Sequence, residues 1–250
     1  MFSSVGHSII SLSEVDSTNN YAAILLNETK VTNGTIILAK NQTKGKGQLG
    51  SVWVVEPSKN LTFSVILTDL KIQANRQFLI SAWAACSLSY FLEEYFAIKN
   101  HIKWPNDIIV NGKKIAGVLI ENSLKGQEIQ HSIIGVGFNI NQANFPKGIG
   151  ATSVFNELGK EQNLDAVFEQ LLSYFNRFYL YLAKQDDKSL FDAYYSKLYG
   201  YNTKIALKDN DGYYEGTIKQ ILSDGRLVVD KNGAEKTYSL KELEFLMKSE

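Results

Sequence analysis

The chain is poor in several residues that often announce a function. Cys86 is its only cysteine, so neither a disulfide framework nor a cysteine-built metal site can be assembled. Its three histidines, His7, His101 and His131, are scattered without ligand spacing and are assigned no metal. Net charge is missing too. Lys+Arg and Asp+Glu both number 26, which argues against duplex DNA, an acidic membrane or a basic partner recognised through bulk charge. No apolar run approaches the roughly 18 to 20 residues of a membrane span. The start, MFSSVGHSIISLSEV, has no basic stretch followed by an apolar run, so no signal peptide is read. The expected address is cytoplasmic, which leaves the Asn-x-Thr sequons at Asn27, Asn33, Asn41 and Asn60 uninformative about glycosylation. No repeat or low-complexity segment is present.

What remains is an ordinary globular composition, 44% hydrophobic and 21% charged over 250 residues, enough for one large domain with a small appendage. EVDSTNNYAAILLNET predicts a strand end and then a helix capped by Asp16, Ser17 or Thr18. GTIILAKNQT reads as a strand, and SVWVVEP with NLTFSVILT as a strand pair. Residues 75–98 carry helical spacing, with Cys86 placed as a small core residue rather than a nucleophile. IKWPNDIIVNGKKIAGVLIE predicts a hairpin turning at Asn111-Gly112, followed by the strand QHSIIGVGFNI and helices over 163–184 and 188–199. From Tyr201 short alternating runs are punctuated by Asp-Asn-Asp-Gly, Ser-Asp-Gly and Lys-Asn-Gly, the texture of a small antiparallel barrel. The fold class is therefore α+β, a mixed sheet with helices over 1–199 and a β-barrel over 200–250.

Gly45, Gly47 and Gly50 in KGKGQLGSVW have the G-x-G-x-x-G spacing of a dinucleotide turn, and Asp69 stands where a ribose-binding acid would. A dinucleotide site needs a helix directly after the glycines, and Val-Trp-Val-Val-Glu-Pro is a poor helix start, so that reading is rejected. No Gly-Lys-Ser/Thr closes a P-loop either. The loop still offers free backbone N–H groups, the charges of Lys44 and Lys46, and the amides of Gln42 and Gln48 to an anion. The plainer alternative is a flexible surface loop.

KWPND, residues 103–107, gathers a cation, an indole, a fixed turn, an amide and a carboxylate. It could equally be a Trp-Pro core element followed by an Asx-turn. Further on, strict alternation would set Lys114 with Ala116, Val118 and Ile120 on one strand face, and Ile115, Gly117, Leu119 and Glu121 on the other. Lys114 could reach inward to an anion or be the last solvated residue before the core. Gly117 in mid-strand suggests close approach by a ligand or another backbone. Gly135, Gly137, Asn139 and Asn141 share parity and suggest a groove floor. Together these residues describe a glycine-floored groove with Lys46, Lys103 and Lys114 as anion ligands and Asp107 as a metal or amine partner.

The collinear series EVDSTN, NQTKGKGQLGSVW, KWPND, KKIAGVLIE, IGVGFNIN and ATSV, from about residue 14 to 155, resembles biotin protein ligase. The resemblance implies a class II aminoacyl-tRNA synthetase/biotin ligase-like fold with a C-terminal SH3-like barrel. It implies ATP-dependent formation of biotinyl-5′-adenylate with Mg²⁺, then transfer to a lysine of a biotin carboxyl carrier protein. By matching position, Ser17, Thr18 and Asn19 would hold the biotin head group. Gln42, Gly45, Lys46, Gly47 and Gln48 would form the loop that covers biotin and the adenylate. Lys114 would meet both the biotin carboxylate and the α-phosphate, above a floor of Gly117, Gly135, Gly137 and Asn139. On the ATP side would stand Lys46, Gln48, Trp53 against adenine, Lys103, Asn106, Lys114 and Asn139, with Asp107 as the Mg²⁺ ligand. The catalytic set so implied is Lys114, Asp107 and Lys103.

Some members carry a DNA-binding winged helix at the start. Only 15 residues precede Asp16, so a monofunctional ligase without DNA binding is expected, with a homodimer as one assembly open to it. Lys46 stands where many members have Arg, and Gln48 where some have a second basic residue, which implies a weaker grip on the ligand. Two other readings stay open at this point: a lipoate or related acyl ligase of the same architecture, and a biotin- or nucleotide-binding sensor without catalysis.

Overall fold

A computed structural model describes residues 4–68 and 70–247, so Asp69 lies outside the described residues. In chain order the elements are β1 (Ile9–Leu12), α1 (Thr18–Glu28), β2 (Thr35–Ala39), β3 (Leu61–Thr68), α2 (Phe78–Phe96), β4 (His101–Lys103), β5 (Asp107–Val110), β6 (Lys113–Lys125) and β7 (Glu128–Phe138). There follow α3 (Val154–Leu158), α4 (Leu164–Lys184), α5 (Asp187–Lys197), β8 (Lys204–Asp209), β9 (Gly212–Ile221), β10 (Leu227–Lys231), β11 (Ala234–Tyr238) and β12 (Glu244–Phe245).

The first seven strands form one sheet in the order β1-β2-β3-β7-β6-β5-β4. β1 and β2 pair in parallel and the other neighbours pair antiparallel, so the sheet is mixed. Buried residues run almost without interruption along β3, because both of its faces are covered. On one face α2 and α4 supply the main core. Phe63 meets Phe168 and Phe175 edge-on, with ring centroids 5.3 and 5.8 Å apart. The Trp83 indole donates to Phe175 O at 3.0 Å, so the largest buried ring leaves no polar atom unpaired. On the other face α1 sets Ala22 against Ile37, Ile66 and Ile133. Cys86 is fully buried in α2, and burial pushes its thiol far above the usual range, in keeping with a core role.

The predicted hairpin turn is present. Asn111 and Gly112 both have positive φ, 49° and 74°, as a tight two-residue turn between twisted strands requires. Strands β8 to β12 form a second, antiparallel sheet in the order β11-β10-β9-β8-β12, with hairpins at the Asp-Gly and Asn-Gly sites. The small sheet is tied to the rest of the fold where Trp104 Nε1, between β4 and β5, donates to Gly225 O at 2.9 Å and Ile221 N donates to Tyr195 Oη of α5 at 2.8 Å.

Two expectations fail. SVWVVEP is not a strand: its only ladder contact is an isolated bridge between Val52 and Lys46. Val52 and Val54 are exposed while Trp53 turns inward, so no partner strand covers this run. The strict alternation read along β6 is also broken. β5 pairs Ile108 with Ala116 but Ile109 with Lys114, leaving Ile115 as an extra residue in a bulge. That extra residue moves Lys114 to the side of Gly117, away from the parity that counting predicts. A short helix that the spacing did not suggest, α3, is capped by Ser153, whose Oγ accepts from Asn156 N.

Candidate functional site

The central strands build a trough. Gly137 of β7 lies beside Thr62 of β3 and Gly117 of β6, and Gly135 lies beside Ser64 and Leu119. Each of these three glycines makes room for a side chain of the protein itself. A Cβ on Gly117 would lie 2.5 Å from Lys114 Cε, one on Gly135 would collide with the Asn19 amide, and one on Gly137 with the Trp53 indole. Their close approach is therefore to side chains that line the trough.

The N-terminus of α1 forms one wall. Ser17, Thr18 and Asn19 are buried, and the first turn is held by a side chain from another segment: Gln42 Oε1 accepts from Thr18 N at 2.7 Å and from Thr18 Oγ1 at 3.0 Å. The opposite wall is the glycine loop, which folds back on itself. Gly47 N donates to Ser51 O and Trp53 N to Gly45 O, and Gly45 has no room for a side chain against the Trp53 carbonyl. Lys46 is tied to α1 through Asn20 Oδ1, and Asn20 Nδ2 donates to Asp16. That amide, helped by the Ser17 N–H, holds the Asp16 carboxyl below its ordinary value against the opposing effect of burial. Gln48 Nε2 donates to Asn106 Oδ1 at 2.8 Å and to Val118 O at 3.2 Å, so the loop is latched to the sheet by a neutral amide.

Two cavities meet here. The first is lined by Ser17, Thr18, Asn19, Gln42, Lys46, Gly47, Gln48, Trp53, Lys114 and the trough residues Gly117, Gly135 and Gly137. Its free volume is about 40 Å³, far below the several hundred Å³ of a typical small-molecule site, because the Trp53 indole lies in the trough. The second, of about 270 Å³, is lined by Lys103, Asp107, Lys114, Trp53 and Asn139, with an apolar rim from Val52, Phe145, Pro146, Ile149 and Met247. Trp53 and Lys114 belong to both. Lys114 Nζ sits 2.6 Å from Asp107 Oδ1 and 5.4 Å from the centre of the Trp53 ring, so the bulge at Ile115 delivers the lysine to the junction.

Two buried polar atoms beside the junction have no partner, Trp53 Nε1 and Asn139 Oδ1. One is a donor and the other an acceptor, the kind of group that a polar ligand satisfies. Asn139 Nδ2 is already committed to Thr152 O at 3.0 Å.

Of the residues expected on the nucleotide side, Trp53, Lys103, Lys114 and Asn139 line the second cavity. Lys46 and Gln48 face the first cavity, and buried Asn106, hydrogen-bonded directly to Gln48, lines with it a third space of about 520 Å³ that the turn at Asp224–Arg226 also borders. No cluster of three or more metal-ligating side chains occurs among the described residues. Asp107 is a single carboxylate already engaged by Lys114, so the residues do not fit a protein-held Mg²⁺. Spacing alone missed Asn20, Ser64 and Glu121, which brace the first cavity, and Phe145, Pro146 and Ile149, which rim the second. A signal existed for the last group: in a chain with three prolines, Phe-Pro followed by Lys-Gly-Ile-Gly marks a shaped loop.

Comparison with known proteins follows the same lines. Residues 12–139 match the biotin/lipoate A/B protein ligase family. The bifunctional ligase/repressor BirA of Bacillus subtilis (strain 168) is 30% identical over 244 residues, covering 94% of this chain and 73% of that protein. The biotin–[acetyl-CoA-carboxylase] ligase of Paracoccus denitrificans is 32% identical over 139 residues, 52% of this chain and 53% of that one. Among solved structures, the biotin protein ligase of Aquifex aeolicus in complex with biotin and ATP superposes with a TM-score of 0.79 at 27% identity, covering 97% of this chain and 100% of that one.

Proposed function

The chain belongs to the biotin/lipoate A/B protein ligase family, and on that premise we propose that it activates biotin with ATP and passes it to a lysine of a biotin carboxyl carrier protein. One observation carries this reading. Lys114 stands where the two cavities meet, so a carboxylate filling the first and an α-phosphate filling the second would share its ammonium. Bringing two anions together is the electrostatic problem of adenylation, and a fixed cation between them lowers its cost.

In the first step a biotin carboxylate oxygen attacks the α-phosphorus and pyrophosphate leaves. Lys114 neutralises the approach, and Lys103, in the same cavity, faces the leaving phosphates. The apolar rim of Phe145, Pro146 and Ile149, with the Trp53 ring opposite, suits a flat purine. Mg²⁺ would arrive with the nucleotide phosphates. In the second step the acceptor amine attacks the acyl carbon and AMP leaves. The model amine is protonated below a pKa of about 10.4 and must shed a proton. Asp107 is assigned to orient the amine or accept that proton once substrate draws Lys114 away. Closure of the glycine loop would keep water from the mixed anhydride. A catalytic unit over 1–199, a smaller one over 200–250 and a cytoplasmic setting accompany this reading.

The head-group wall favours biotin over lipoate. Ser17, Thr18, Asn19 and Gln42 offer hydrogen bonds that a ureido ring can use and a dithiolane ring cannot. The test is exchange of labelled pyrophosphate into ATP with biotin and lipoate in parallel. Exchange with biotin supports the proposal. Exchange with lipoate alone would move the chain to the sister activity, and biotin binding without exchange would make it a sensor.

A further inference from the structure

A line of buried polar groups runs from the floor of the first cavity to the surface. Ser64 lies fully buried in mid-β3, in register with Gly135. Its Oγ is 2.7 Å from Thr18 Oγ1 and 2.6 Å from Asn19 Oδ1. Asn19 Nδ2 donates to Glu121 Oε2 at 2.7 Å, and Glu121 stands exposed on β6 outside the cavity.

The protons in this line can be assigned. A carboxylate only accepts, so Glu121 draws the Asn19 NH₂ group towards itself, and the carbonyl of Leu119, 3.5 Å from the same nitrogen, draws it the same way. The Asn19 oxygen is thereby turned to Ser64, whose single proton it takes. Ser64 then presents only lone pairs to Thr18. With the Ser64 proton taken, the 2.7 Å contact between the two hydroxyls requires the Thr18 proton, which it shares with Gln42 Oε1 at 3.0 Å, so that proton is spent within the wall. Thr18 Oγ1 is left with lone pairs, and no proton, to offer a group in the cavity that it lines.

We propose that Glu121 is a positioning residue that fixes the direction of this hydrogen-bond chain, so that the cavity floor accepts and selects a ring bearing N–H donors. The inference rests on the reading of this cavity as the biotin head-group site. It adds a residue outside the cavity that sets the polarity of the floor. Gly135 belongs to the same device, since any side chain there would collide with the Asn19 amide.

Glu121→Gln tests it on the full chain. A carboxamide can donate as well as accept, so Asn19 is free to flip and the floor loses its fixed sense. Biotin affinity by titration calorimetry, and KM for biotin in pyrophosphate exchange, should weaken about tenfold, the scale of one mis-set buried hydrogen bond. KM for ATP and the thermal midpoint should stay at wild-type values. Ser64→Ala should weaken biotin similarly, and the double variant should be no worse than Ser64→Ala alone, because both act through one chain. Wild-type biotin affinity in Glu121→Gln would overturn the proposal. So would equal losses for biotin, ATP and thermal stability, or two variants whose effects simply multiply. If the wild-type chain itself binds no biotin, the head-group reading falls first and this inference falls with it.

Discussion

At the scale of the residue, the proposed chemistry rests on a few side chains. Lys114 is the plainest. Replacing it with Met should lower biotin-dependent pyrophosphate exchange by about 100-fold or more, the usual cost of removing a preorganised charge partner of the reacting group, with fold intact by circular dichroism. Asp107→Asn should leave adenylation measurable but remove most carrier transfer; full transfer by that variant would sink its assignment to the acceptor amine. Lys46→Arg should tighten biotin binding, since a planar guanidinium grips an anion at two points where an ammonium makes one. Unchanged or poorer affinity by calorimetry would count against that view of the loop. Gln42, Lys46, Gln48 and Lys114 were legible as anion-facing residues because their chemistry is explicit. Ser17 and Thr18 read from their chemistry only as helix caps and joined the site through the resemblance; all six line the cavities. Ser64 and Glu121 were not legible, because a serine in a hydrophobic strand and a glutamate near a strand's exposed end look like background until the register is known.

At the scale of the element, patterns that rest on uniform geometry were readable and those that rest on an irregularity were not. The helical spacing over α2 and α4 and the Asn111-Gly112 turn follow from periodicity and positive φ, which sequence encodes locally. The bulge at Ile115 carries no such mark, and without it Lys114 would fall on the wrong side of β6. The segment after the glycine loop resembles a strand in composition, yet it lies outside the sheet because Trp53 fills the trough over Gly137. A side chain added at Gly137 should therefore expel the indole. Gly137→Ala is expected to shift the tryptophan emission to the red and to weaken biotin binding, both read in one fluorescence titration.

At the scale of the whole molecule, the two sheets share their seam, where Trp104 reaches Gly225. Trp104→Phe should cost about 1–3 kcal/mol by leaving that carbonyl unpaired, seen as a lower urea midpoint. The small sheet has its own electrostatic lock. The Asp209 side chain is almost wholly buried and accepts from Lys231, Lys236 and Tyr238. Burial alone would push its pKa up, but the Lys231 ammonium, the Tyr238 hydroxyl and the Lys236 ammonium together outweigh that and hold the carboxyl well below the usual range. A depressed carboxyl stabilises the fold above its unfolded value, near 3.9, and loses that contribution as pH falls below it. Asp209→Asn should thus lower the thermal midpoint at neutral pH, with the gap to wild type closing in acid. No helix among the described residues is long and apolar enough to cross a membrane. The molecule's behaviour then turns on the indole that walls both cavities. A ligand that moved Trp53 to enter one space would reshape the other, so occupants of the two cavities would be thermodynamically linked. Whatever factor biotin exerts on nucleotide affinity, nucleotide must return to biotin in full.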